Sequence, residues 1–231
     1  MRIGTFDIAS VGAKQWNVTF GYSSISNQSK WDTNAVSPML VNSTYGFKPL
    51  KVVILVKGRS REEIVTKVSK IISNCMEYSE IELDGYEHHF IGVLKKHSVS
   101  EKSKDRWHDL TLEFDCYEVG EWVEVSQARC ESLTINNSGN IRCPAEVRIK
   151  PTASVASLNV DGFGKRITIQ NLVRNAEVVI DGISGLVNED GETKIRDVLM
   201  FNLPYLEKGI NRINLSNDWM DVTVRYRPRY I

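Results

Sequence analysis

The sequence has no surplus of either charge: lysine plus arginine and aspartate plus glutamate each number 29 among 231 residues. A zero net charge gives no long-range pull toward nucleic acid or an anionic membrane surface. It also supplies little colloidal repulsion, so self-association is permitted. Long apolar runs are missing, and none approaches the ~18 residues a membrane-crossing helix needs. Residues 1–10 carry Arg2 but no apolar segment of the kind a secretion signal uses. Synthesis and folding in a cytoplasm is the expectation. Cysteine is scarce: four stand at positions 75, 116, 130 and 143, none in a C-x-x-C pair. They read as small buried hydrophobes rather than metal ligands or disulfide partners.

Catalytic constellations are also lacking. Gly162-Phe163-Gly164 has no third glycine and stands in a hairpin context, so no dinucleotide is implied. Lys57-Gly58-Arg59-Ser60 lacks the phosphate-loop spacing and reads as a helix cap. The imidazoles gather at His88 and His89, with His97 and His108 nearby. Adjacent strand residues point to opposite faces, so His88 and His89 are poorly placed to share an ion. Asn188-Glu189-Asp190-Gly191-Glu192 is acidic, but no EF-hand pattern surrounds it and a turn accounts for it. Arg225, Arg227 and Arg229 read as the solvated outer side of a last strand, with Val222, Val224 and Tyr226 inward. No catalytic, cofactor or metal residue is assigned.

What is present is organised around residues 51–78. Val52-Val53-Ile54-Leu55-Val56 is a short β-branched run suited to a strand covered on both faces. Ser60 stands three residues before Glu63, the spacing of a capping box. Ile64, Val68, Ile71, Ile72 and Cys75 then fall at helical spacing, with Val65 and Met76 flanking. No other helix pattern in the chain is as strong. Residues 1–10 predict a short strand. Residues 90–96 and 110–117 predict a hairpin whose tip, 97–108, is charged.

Residues 11–46 differ in kind. They hold Trp16, Phe20, Tyr22, Trp31 and Tyr45, but only Lys14, Lys30 and Asp32 as charges. An extended arm with aromatic anchors is what a subunit contact uses. A pair of ordinary strands packed on their own domain is the other reading, and both stay open here. After a shift of composition near 120–129, strand signals recur about every ten residues. They lie at 133–136, 146–150, 157–160, 166–170, 177–180, 212–215 and 221–226, with Asp-Gly turns at 161, 181 and 190. That spacing predicts an antiparallel β-sandwich. The fold class is thus mainly β with one principal helix (α+β), in two domains, 1–128 and 129–231.

Several phrases together resemble the distal tail proteins of long-tailed phages, the Dit family. They are the run from Lys57 to Ile64, Leu83-Asp84-Gly85-Tyr86, Asp105-Arg106-Trp107-His108, Asn136-Asn137-Ser138-Gly139-Asn140 with Pro144, and the ending Val224-Arg225-Tyr226-Arg227-Pro228-Arg229-Tyr230. The resemblance implies an N-terminal belt domain that assembles into a ring, usually a hexamer, and a C-terminal galectin-like β-sandwich. It implies a structural hub joining the tail tube protein to the tail-associated fibre or lysin protein, with receptor-binding proteins docked on some members. It implies a place in the virion tail tip, assembled in the host cytoplasm, and no enzyme activity. Trp16, Phe20, Tyr22 and Trp31 are the candidate subunit-interface residues. The alternative is a carbohydrate-binding module that meets host-wall sugar through the sandwich; the galectin sugar signature is not found.

Overall fold

The computed structural model describes residues 1–103 and 106–231. The chain forms two compact units, Met1–Val119 with Ile231, and Gly120–Tyr230. The architecture is mainly β, and among the described residues Arg61–Ser73 is the one α-helix.

In the first unit an antiparallel sheet runs Phe6–Asp7, Arg2–Ile3, Ser79–Glu82, His89–Ser103, Trp107–Val119, Lys48–Lys57, Ala13–Phe20. Lys48–Lys57 alternates strictly: Leu50, Val52, Ile54 and Val56 are buried, and Val53 and Leu55 are only half-buried. The apolar run predicts cover on both faces, but only one face receives it. The helix lays Ile64, Val68 and Ile71 on that face, where Leu110, Leu112, Phe114 and Cys116 join them. The flanking Val65 and Met76 are exposed.

The helix starts as its sequence requires. Ser60 accepts a hydrogen bond from the Glu63 backbone N–H at 3.2 Å, and the Glu63 carboxylate accepts one from the Arg59 N–H at 2.7 Å. The reciprocal arm of the capping box therefore reaches one residue further out than the usual partner. Glu63 also pairs with Lys67 one turn on, at 2.7 Å.

Two local expectations are corrected. Residues 1–10 do not make one strand. Gly4 turns the chain at φ 55°, leaving Arg2–Ile3 and Phe6–Asp7 paired with each other, followed by a 3-10 turn at Ile8–Val11. The hairpin predicted to end near 96 continues to Ser103 and resumes at Trp107, because Val99 still pairs with Leu110 and Glu101 with His108. Two charges of the predicted tip, Lys104 and Asp105, lie outside the described residues.

The second unit is a sandwich of two antiparallel sheets. One holds Val123–Gln127, Met220–Tyr226, Cys143–Pro151, Val178–Asp181, Val187–Glu189 and Glu192–Thr193, with Tyr205–Leu206 on Cys143–Pro151. The other holds Ser132–Asn137, Gly209–Leu215, Val155–Asp161, Ile167–Leu172 and Val198–Leu199. Inward residues of both sheets, among them Val147, Leu158, Ile169, Ile213 and Val224, close on Phe163. Asp190 and Gly191 both take positive φ, 48° and 92°, between paired Glu189 and Glu192. That is a two-residue primed hairpin turn, so the acidic stretch is a turn. Val123–Gln127 pairs along Met220–Tyr226 and so lies in the second unit's sheet, ahead of the 128/129 junction read from composition.

The helix stripe sets the stability of the first unit. Ile64→Ala should cost about 3 kcal/mol by emptying a fully buried site, and Ser60→Ala about 1 kcal/mol by removing the cap. Urea denaturation of the two variants checks the ranking.

Candidate subunit interface

Residues 11–46 divide in two. Ala13–Phe20 is an edge strand of the first unit's sheet. Beyond Gly21 the chain leaves that sheet and makes a hairpin of its own, Ile25–Lys30 against Met39–Tyr45, in a separate two-stranded sheet. Asn27 and Ser43 bond across it at 2.8 Å. At the tip the Trp31 indole N–H donates to the Ala35 carbonyl at 3.2 Å, and Lys30 pairs with Asp32 at 2.9 Å.

The arm is uncovered on both sides. Leu40 and Val41 are neighbours on one strand and so point oppositely, yet each is 63% exposed. Val36 is fully exposed, and Ile25 and Met39 are more than half so. A two-stranded hairpin is marginal in water by itself.

The four aromatic residues named from sequence do not share one surface. Tyr22 (86% exposed) stands at the root of the arm and Trp31 (65%) at its tip. Trp16 belongs to the sheet. The pairing of Ala13–Phe20 with Lys48–Lys57 slips between Gln15 and Asn17, which makes Trp16 the bulged residue, 70% exposed. Phe20 is seated in its own unit, edge-on to Tyr86 at 4.7 Å and stacked on Phe90 at 5.3 Å.

Phe20 walls a cleft of about 520 Å³ whose lining includes Tyr86, Phe90, Lys48, Glu118 and His88. Lys48 is buried and pairs with Glu118, whose other oxygen meets His88 Nδ1 at 2.5 Å. Burial pushes the Glu118 carboxyl up, but the hydrogen bonds from Lys48 and His88 outweigh it and hold it below the usual carboxylate range. His89 meets a different carboxylate, Glu80, at 2.6 Å. Adjacent histidines thus hydrogen-bond to separate carboxylates. Among the described residues no cluster of three potential ligands forms. His108 is buried, and its Nε2 has no hydrogen-bond partner.

The remaining sequence candidates fall into structural roles. All four cysteines are free and buried. Burial pushes the Cys75 and Cys116 thiols up to about 12 and Cys143 to about 11, so none is a ready nucleophile. Arg227, expected outward, is buried: its Nε donates to the Gly120 carbonyl at 2.8 Å. Met220–Tyr226 ends one residue earlier, so strict alternation no longer applies to it. Arg225 lies over the Trp122 ring at 4.2 Å and Arg227 at 5.5 Å. Sequence reasoning did not single out Trp122; a tryptophan immediately before the short strand Val123–Gln127 is no recognisable signal.

Residues 138–230 match the family model described as the siphovirus-type tail component, C-terminal domain. Over the whole chain the fold is similar to the crystal structure of SPP1 Dit, described as a paradigm of the hub adsorption apparatus in phages infecting Gram-positive bacteria. That match has a TM-score of 0.78 at 11% identity, covering 100% of this chain and 98% of the other. The activated phage P2 baseplate with Ca is similar at TM-score 0.54 and 10% identity, covering 96% and 92%. The same baseplate with Sr gives 0.53 at 11%, covering 95% and 92%. No curated protein matches the chain by sequence. The domain match makes residues 138–230 similar to a siphovirus-type tail component, and over its whole length the chain shares the fold of SPP1 Dit.

The buried pair in the cleft makes a direct test. Lys48→Met strands the Glu118 charge and should cost about 3 kcal/mol. Because the folded Glu118 pKa is depressed, its contribution is present above the ordinary value of 4.5 and fades as pH falls through the folded value. The gap in melting temperature between wild type and Glu118→Gln should therefore narrow in acid, as read by thermal unfolding between neutral and acidic pH.

Proposed function

We propose that this tail-tip structural protein is a hub, assembled as a closed ring of copies, most simply six, that joins the tail tube to the tail-associated fibre or lysin and to other baseplate proteins. The first unit builds the ring and the sandwich offers a surface to further partners, a receptor-binding protein among them. The protein acts by contact rather than turnover, in the virion, after assembly in the host cytoplasm.

The observation that carries this reading is the arm. A hairpin uncovered on both faces, with its apolar side chains in water, is incomplete as an isolated element. An arm on one side of a molecule that meets a different surface on the next copy is a heterologous contact. Such contacts close into rings when the rotation permits. Zero net charge removes one barrier to packing copies together. The printed descriptions of the similar structures, a hub adsorption apparatus and a baseplate, agree with a tail-tip assembly.

Native mass spectrometry and negative-stain imaging of the purified protein should show rings or concentration-dependent oligomers. A strict monomer at every concentration would count against the ring. Trp31→Ser should weaken association while leaving the melting transition in place, since the side chain is 65% exposed and its indole N–H bonds within the arm's own turn.

A further inference from the structure

The outer face of the first unit's sheet carries a groove of about 360 Å³ lined by Trp16, Leu55, Lys57, Lys102, Trp107 and Asp109. Its construction follows from register. Leu55 lies opposite Asp109 and Lys57 opposite Trp107 on neighbouring strands. The bulge between Gln15 and Asn17 turns Trp16 out over the same place. Bulges often re-aim a side chain in this way. The two indoles remain 70% and 39% exposed. The Lys102–Asp109 pair, at 3.7 Å, stands at the rim.

Resting on the ring reading, we infer that this groove is the seat for the arm tip of a second copy. The arm needs apolar cover, and its own copy does not provide it: its strands bond only to each other. Arm and groove are also separated along the chain. The arm leaves the sheet at Gly21, five positions beyond Trp16, which at strand rise is roughly 16 Å. The two surfaces are complementary in kind. The tip offers Trp31, Val36 and Met39, and the groove offers Trp16, Leu55 and Trp107. The arm's two charges, Lys30 and Asp32, are paired with each other, so covering the tip leaves no lone ion without a partner. A stable contact takes about 800 Å² from each partner, which a hairpin of residues 21–47 open on both faces can present. Because arm and groove are unlike surfaces of one chain, each copy would give an arm to one neighbour and accept one from the other.

Mixed single-cysteine variants of the full chain test this. The native thiols are buried and raised in pKa, so introduced ones react first. Under mild oxidation Val36→Cys should form a disulfide-linked dimer with Lys57→Cys in preference to Val173→Cys, an exposed control in the second unit. No preference overturns the inference. Separately, the Trp16→Ser/Trp107→Ser variant should weaken association about tenfold or more, as expected when tryptophan anchors are truncated, with an unchanged melting transition. Sedimentation velocity reads the association. If that variant does not fold, the cross-linking pair alone decides. Association insensitive to the groove overturns this inference and leaves the ring reading standing. A strict monomer overturns both. Retention of an arrayed oligosaccharide by the wild type but not by the double variant, with association unchanged, assigns the groove to a sugar and also overturns it.

Discussion

Packing of one helix on one strand is the constraint from which the first unit's surface follows. Ile64, Val68 and Ile71 meet alternate residues of Lys48–Lys57, and the neighbouring strand Trp107–Val119 closes the layer with Leu110, Leu112, Phe114 and Cys116. The chain supplies a single α-helix among its described residues, so only one face of the sheet can be dried in this way. The other face keeps Val53 and Leu55 half-buried and leaves Trp16 and Trp107 in water. An exposed, partly apolar outer face therefore follows from having one α-helix, among the described residues, for a two-faced sheet.

The arm extends the same logic. It has the hydrogen bonds of a hairpin but no third element to bury its side chains. Ser43 and Asn27 bond across it, while Leu40, Val41 and Val36 stay exposed. By contrast the second unit is complete. Its two sheets bury each other's inner faces around Phe163, and Tyr226 even satisfies its hydroxyl on the Asn136 carbonyl at 3.0 Å. The charged cleft of Lys48, Glu118 and His88 fits this division. It ties strand to strand through the Lys48–Glu118 ion pair and the His88–Glu118 hydrogen bond.

The sandwich was largely legible in the sequence because its signals are local. Inward alternation and Asp-Gly turns each act within a few residues, and the strands fall where those signals stand. The helix was legible for the same reason: cap, stripe and charged side all lie within a few turns. Val123–Gln127 was not, since a short alternating stretch beside a composition shift looks like a junction until its partner Met220–Tyr226 is placed beside it. Burial of Arg227 depended on where that last strand ended and on the Gly120 carbonyl, more than a hundred residues away in sequence.

The low charge and aromatic content of residues 11–46 set that stretch apart, but did not show its division into an edge strand and a separate hairpin. Sequence by itself determined the two classes of element, the turns between them and the apolar stripe, because each depends on side-chain type at short spacing, and it fixed the zero net charge by composition alone. Tertiary structure decided that Phe20 packs inward beside Tyr86 and Phe90, that a bulge turns Trp16 outward, and that the hairpin beyond Gly21 stands uncovered. Those outcomes depend on strand register and on which face the helix Arg61–Ser73 occupies, and neither is written in any window a few residues long.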